Sequence, residues 1–212
     1  MPKKKFYEVL RTFLVDPDSQ NNFTHPFFKL LKHLEEFETC HSDVCKHLYV
    51  KTKCKKGDIL VNVGDRSNKF FFVESGIIRT FSMINDKERT VQITLPGEFS
   101  GTYSNSVLNL PSDVTIEILL KSAVWVFDWD VWNDYKIEYP LLGLFEQFNS
   151  ASYIMFLNER VNDLLFLTSF ERYEKLLNKR SQFVKSLPLK YVADYIGSSV
   201  ENLSRIRKIL LK

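Results

Sequence analysis

The chain has 212 residues and a formal net charge of +3, with 44% hydrophobic, 14% aromatic and 26% charged residues. That length fits one large domain or two modest ones, and the apolar content suffices to offset chain entropy, which excludes a disordered chain. No apolar run reaches about 18 residues, since even Val114 to Phe127 carries Glu117 and Lys121, and the start Met1 to Phe6 lacks a signal peptide's apolar stretch, so the sequence predicts a soluble, cytoplasmic protein without a membrane partner.

Phe6 to Leu14 predicts a short helix, followed by an irregular lead-in at Asp16-Pro17-Asp18 and Asn21-Asn22. In Phe27 to Lys51 the apolar residues Phe27, Leu30, Leu31 and Leu34 follow the i, i+3, i+4, i+7 rhythm of an amphipathic helix. Cys40, Cys45 and Cys54 are an odd set without the paired frameworks of small secreted proteins, which suggests a reducing compartment. With His41 and His47 they resemble a metal cluster in composition only. Four and eight residues separate the cysteines, unlike the paired short spacings of zinc or iron–sulfur sites, so free thiols, no metal and no cofactor are expected.

From Gly57 the rhythm changes. Turn signals fall at Lys56-Gly57-Asp58, Gly64-Asp65, Ser75-Gly76, Asn85-Asp86 and Pro96-Gly97. Between and beyond them lie strand-like runs at Ile59–Val63, Phe70–Val73, Ile77–Phe81, Thr90–Leu95, Val114–Leu120 and Val124–Asp128. Short strands at this spacing predict an antiparallel sandwich, jelly roll or closed barrel. All four histidines, His25, His33, His41 and His47, precede these strands, so a His-ligated centre inside the barrel has no ligands. There is no Gly-x-Ser-x-Gly elbow or phosphate-cradling glycine loop, and Asp128 and Asp130 lack an apparent partner carboxylate. No catalytic residues are expected, and the chain does not read as an enzyme.

After Trp132 the pattern is helical. Ile154, Leu157, Val161, Leu164 and Thr168 fit an a/d series, while Leu141, Leu144, Phe148 and Met155 mark a second apolar line. Such a helix either packs only on its own barrel or pairs with a twofold mate.

Charge is uneven along the chain. Glu171 to Lys212 carries ten basic and four acidic residues, a net +6, against −3 for everything before it. A basic end on a mildly acidic body suits nucleic-acid binding, although a solvated helical surface has the same look. Within this end, Pro188 opens a helix with Leu189, Ala193 and Ile196 on one face, and Gly197 ends it. Ser198, with Glu201 three residues on, predicts a capping box for a second helix. Val200, Leu203, Ile206 and Leu210 form its expected buried stripe, and Glu201, Arg205, Lys208 and Lys212 lie opposite, flanked by Asn202 and Ser204. A helix of this width enters the DNA major groove, where Arg can donate twice to guanine and Glu can accept from cytosine. Ser198, Ser199, Glu201, Asn202, Arg205 and Lys208 are therefore the candidate DNA-binding residues.

The run from Leu187 to Lys208 resembles the helix-turn-helix of the Crp/Fnr family of bacterial transcription regulators. Lys56-Gly-Asp-Ile-Leu, Phe72-Val-Glu-Ser-Gly-Ile-Ile-Arg and Leu95-Pro-Gly-Glu-Phe resemble that family's cyclic-nucleotide-binding β-roll, and Phe170-Glu-Arg-Tyr-Glu-Lys-Leu-Leu its interdomain link. The resemblance implies an α+β fold: an N-terminal antiparallel β-roll or jelly roll over 1–138, a long dimerisation helix over 139–167 and a helix-turn-helix domain over 168–212. It further implies a homodimer on double-stranded DNA, with RNA polymerase and a small-molecule effector as further partners. Glu201 and Arg205 would read base edges, while Val200 stands where the catabolite activator has arginine, so a different preferred sequence is expected. Members usually close with a β-hairpin wing, and this sequence ends at Lys212.

In nucleotide-binding members a Gly-Glu-x-x-Gly-Glu turn and an Arg-Ser pair hold the ligand. Here these positions read Gly97-Glu98-Phe99-Ser100-Gly101-Thr102 and Pro111-Ser112, so the phosphate cation and the ribose acceptor are both absent. Gly97, Glu98, Gly101, Thr102 and Ser112 are the candidate effector-pocket residues, with no cyclic nucleotide expected. Ser104, Asn105, Ser106 and Asn109 make either a neutral polar site or ordinary loop. The second functional expectation is a β-roll module that regulates through a protein partner without DNA. Salt separates the two, because DNA binding weakens steeply with ionic strength.

Overall fold

A computed structural model describes residues 5–7, 10 and 26–210. Its elements, in chain order, are α1 (Pro26–Cys40), α2 (Ser42–Leu48), β1 (Tyr49–Cys54), β2 (Ile59–Val61), β3 (Lys69–Ile84), β4 (Lys87–Thr94), β5 (Phe99–Gly101), α3 (Tyr103–Val107), β6 (Thr115–Asp128), α4 (Trp129–Glu138), α5 (Pro140–Phe166), α6 (Ser169–Val184), α7 (Leu189–Tyr195) and α8 (Val200–Leu210). They form two compact units, residues 1–80 with 94–150, and residues 81–93 with 151–212.

The first unit is the β-roll. Its sheet runs β1-β6-β3-β4, with β2 on β6 and β5 on β3. β1 pairs antiparallel with the C-terminal half of β6, Tyr49 opposite Phe127 through Cys54 opposite Ser122. The helix expected through Lys51 therefore ends earlier, and Tyr49 enters the sheet. The two runs on either side of Ser75-Gly76 are one strand, as are the two on either side of Lys121-Ser122. Gly76 explains the first merger: it sits at φ +91° against Ser122, so Ser75-Gly76 kinks a continuous strand instead of reversing it. Asn85 and Asp86, at φ 51° and 57°, do make the reversal between β3 and β4, as a two-residue hairpin of the type I′ kind requires.

One side of the sheet is covered by helices over an aromatic core. Phe6, Tyr7, Phe72, Trp125, Phe127, Trp129, Trp132 and Phe145 are all buried there. Phe6 meets Phe127 edge-on at 4.9 Å and Phe70 stacks on Phe127 at 4.6 Å. A second, aliphatic core contains Val61, Phe71, Val73, Ile78, Ile116, Ile118 and Val124. Within the first core the buried Glu38 carboxylate accepts from the N–H groups of Phe6 (2.8 Å) and Tyr7 (3.0 Å) and from the Tyr49 hydroxyl. Burial raises the Glu38 carboxyl above its usual range. The rest of the helix expected over Phe6 to Leu14, and the lead-in at Asp16 to Asn22, lie outside the described residues.

The second unit joins the tip of the β3–β4 hairpin to the C-terminal part of α5 and to α6, α7 and α8. Tyr173, Val192, Ala193, Leu203 and Ile206 are buried in it. α6 opens with a reciprocal cap: Glu171 accepts from the Thr168 N–H (2.7 Å) and hydroxyl (2.8 Å), and the Thr168 oxygen accepts from the Glu171 N–H (3.3 Å). Thr168 therefore caps a new helix rather than ending the apolar series of α5. Among the described residues no helix is long and apolar enough to cross a membrane.

Candidate nucleic-acid interface

α7 ends by a backbone device that the sequence advertises. Gly197 takes φ +64°, the Ser198 N–H bonds Ala193 O at 2.8 Å and the Gly197 N–H bonds Asp194 O at 3.0 Å. This double closure satisfies the Ala193 and Asp194 carbonyls and reverses the chain within two residues. Ser199, not Ser198, then caps α8, its oxygen accepting from the Asn202 N–H at 3.1 Å, while the Asn202 amide donates to the Ser198 hydroxyl at 2.9 Å. The expected capping box does not form: the hydroxyl cap is displaced by one residue, and Glu201 lies on the exposed face.

Leu203 and Ile206 hold α8 against the unit, whereas Val200 and Leu210, expected in the buried stripe, are 39% and 38% exposed. Ser199, Glu201, Arg205 and Lys208 are exposed, with Ser198 and Asn202 half-buried beside them at the start of the helix. Glu201, Arg205 and Lys208 thus share the exposed face of α8, Asn202 lies half-buried in its first turn, and Ser198 and Ser199 belong to the turn that precedes it. The Glu201 N–H and the Ser199 hydroxyl, with Arg205 a smaller contributor, hold the Glu201 carboxyl below its usual range, so it is an ionised acceptor. Basic Arg207 and Lys208 occupy the last turn, where they oppose the negative end of the helix dipole.

α5 carries the second feature of the site. Leu142 and Phe145 are buried at its start, but Ile154 (57%), Leu157 (39%), Val161 (53%) and Leu164 (43%) are exposed in the a/d register that the sequence predicts. Leu144, Met155 and Phe166 are exposed as well. Ile154, Leu157 and Val161, with Leu164 at its end beside Gly197, form an exposed apolar ridge over three turns.

The candidate effector residues are distributed through the β-roll. Gly97 forms the turn before β5, its N–H bonded to Val73 O at 2.8 Å, and the Glu98 carboxylate accepts from the Leu95 N–H at 3.0 Å. Gly101 pairs with Phe70 at a tight approach. The Ser112 hydroxyl is closed on the Val114 backbone, and its peptide groups bond the Gly64-Asp65 turn. Asn105, Ser106 and Asn109 also serve the loop, bonding Pro111 O, Ser67 O and the Arg66 guanidinium respectively. Thr102 differs from these: it is buried, and its hydroxyl finds no partner among the described residues.

Residues 51–136 match the family model of the cyclic nucleotide-binding domain. No curated protein matches the chain. Among solved structures, FixK2 from Bradyrhizobium japonicum superposes with a TM-score of 0.68 at 15% identity, covering 77% of this chain and 84% of its own. A protein described as a transcriptional regulator of the Crp/Fnr family from Eubacterium rectale gives 0.64 at 15% identity, covering 86% and 88%. The fold is that of a Crp/Fnr-type regulator. The c-di-GMP responsive global regulator CLP from Xanthomonas campestris shares it, with a TM-score of 0.59 at 14% identity over 80% of this chain and 91% of its own.

Within this Crp/Fnr-type fold, sequence reasoning missed two groups of residues. Thr94 and Ser100 are buried with hydroxyls that, like that of Thr102, have no partner among the described residues. Ser100 lies opposite Phe71, whose side chain belongs to the aliphatic core, so alternation along β5 could have placed it inward. Arg160 and Arg172, the second group, have no local signal: they look like ordinary charges on amphipathic helices. No group of three or more His, Cys, Asp or Glu side chains gathers as metal ligands among the described residues. Cys45 is buried, and burial pushes its thiol up to about 11.

Proposed function

We propose that the chain is a sequence-specific DNA-binding transcription regulator that acts as a homodimer, with α8 as its recognition helix. The observation that carries this is the single exposed face of α8, on which ionised Glu201, Arg205 and Lys208 stand together above a helix held from behind by Leu203 and Ile206. Pairing of two α5 ridges would place two recognition helices about 34 Å apart, in successive major grooves of a near-palindromic site. Glu201 and Arg205 then read base edges, Lys208 meets phosphate, and Ser198, Ser199 and Asn202 support the helix start near the backbone.

Selection of bound duplexes from a random pool tests this. The expected product is one near-palindromic sequence, and a pool that stays unenriched overturns the proposal. On the selected site, Arg205→Ala is expected to cost about 1–3 kcal/mol and to relax preference at one base pair, whereas Lys208→Ala weakens all sequences alike. Equal losses on every sequence for Arg205→Ala would remove it from base reading.

The β-roll is assigned no cyclic nucleotide. Pro111 stands where nucleotide-binding members place the phosphate-binding arginine, Thr102 where they place the ribose acceptor, and the Glu98 carboxylate is committed to the Leu95 N–H. A buried phosphate without its counter-cation loses several kcal/mol of compensation, of the order of about 3–5 kcal/mol. Cyclic AMP and cyclic GMP are therefore expected to leave the melting temperature unchanged at every concentration. A rise that scales with ligand concentration would contradict this.

A further inference from the structure

We propose that Arg172, assisted by Arg160, is the positioning residue that locks the helix-turn-helix to the end of the long helix and so sets the half-site spacing the protein accepts; this rests on the DNA-binding reading above. The last carbonyls of a helix lack intrahelical donors and carry the negative end of its dipole. At the end of α7 two guanidiniums meet them. Arg160, on α5, donates to Tyr195 O at 2.7 Å and stacks 4.0 Å over the Tyr195 ring. Arg172, on α6, donates through Nε to Ile196 O at 2.7 Å and through Nη2 to Gly197 O at 3.5 Å.

The other edge of the Arg172 fork faces the end of α5. Its Nη1 donates to Leu167 O and to Asp163 O (3.4 Å), and Nη2 also reaches the Ser169 hydroxyl at 3.3 Å. One planar group therefore joins the close of the long helix, the start of α6 and the turn between α7 and α8. Lys175 reinforces the same junction from α6, with the Asp163 carboxylate at 2.7 Å and Glu159 at 2.8 Å.

Apolar packing across this junction is incomplete. A cleft lined by Phe156, Leu164, Leu176 and Tyr195, together with Arg160 and Arg172, separates α5, α6 and α7. Close-packed side chains hold α7 to α8; toward α5 the pair is met by the Arg160 and Arg172 guanidiniums and by Leu164 against Gly197, while the Asp194 carboxylate of α7 accepts from Arg89 and the Thr90 N–H of the hairpin. Lysine at 172 would keep the charge and lose the fork, since an ammonium cannot span two helix ends with fixed planar geometry. The α5 ridge orients the twofold mate, so any play at Arg172 becomes play in the separation of the two recognition helices.

The test is Arg172→Lys in the full chain, read in two ways. In the absence of DNA, pulsed electron–electron spin resonance between labels at residue 208 of the two protomers, in a Cys40→Ser background, is expected to give a broader distance distribution than the parent. On duplexes whose half-site separation is varied one base pair at a time, the discrimination between best and next spacing is expected to fall about tenfold, because avidity requires both half-sites to be reached at once. Affinity for a single half-site and the dimer population stay at the parent's level. A distribution as narrow as the parent's, unchanged spacing discrimination, or a parallel loss of single half-site binding each overturns the inference. A parent that selects no DNA, with a distribution that still broadens in the variant, would leave the clamp standing and remove the DNA-binding reading.

Discussion

A Leu157→Glu, Val161→Glu double variant is expected to sediment as a monomer and to bind the selected palindrome at least about 100-fold more weakly than the parent, because the second half-site contact would no longer be intramolecular. Both side chains lie in the exposed apolar ridge of α5, 39% and 53% accessible, between Ile154 and Leu164. Burying such residues against a mate returns about 1.5–3 kcal/mol each, and a carboxylate at the seam forfeits this and adds the desolvation of a charge. Neither side chain belongs to a buried core cluster of its own chain, so the far-ultraviolet circular dichroism should be unchanged. A double variant that remains dimeric would show that the ridge serves another contact.

The second large effect concerns stability. Gly76→Ala is expected to destabilise the β-roll by more than about 3 kcal/mol, combining left-handed strain with overlap that the sheet cannot relieve. A β-carbon there would stand 2.1 Å from Ser122 Oγ, 2.6 Å from Lys121 O and 2.6 Å from Ser122 Cα, at a backbone φ of +91°. Gly64 provides the control. It has nearly the same angle, +90°, with nothing within 4 Å, so Gly64→Ala should incur only the conformational strain, about 1 kcal/mol. Urea denaturation of both variants measures the difference, and equal losses would show that contact with β6 contributes nothing.

The pattern of residues was most informative where structure is local. Gly197 after an apolar-periodic run, followed by Ser198 and Ser199, describes a helix end and a helix start in a few residues, because a left-handed cap and a hydroxyl cap each involve only near neighbours. The outward face of α8 follows from the period of the helix, which brings Glu201, Arg205 and Lys208 to one exposed side. The cap itself slipped by one residue, and the capping box formed instead at Thr168 and Glu171, since competing Ser and Thr residues offer equivalent local bonds and the packing of Leu203 and Tyr173 chooses the register.

Other features were not local. Ser75-Gly76 carries the signature of a reversal, yet β3 continues through it, because the missing side chain serves an approach to Ser122 from a strand some forty residues later. Tyr49 continues a helical rhythm but joins β6, where pairing with Phe127 and the surrounding aromatic rings outweighs helix propensity. The architecture of roll, long helix and helix-turn-helix was legible from periodicity and motif order, because each element's identity is written in its own neighbours. The exposure of the α5 ridge, the hydroxyls of Thr94, Ser100 and Thr102 that lack partners among the described residues, and the guanidinium fork of Arg172 emerged only from packing, because each depends on which distant backbone arrives beside a side chain.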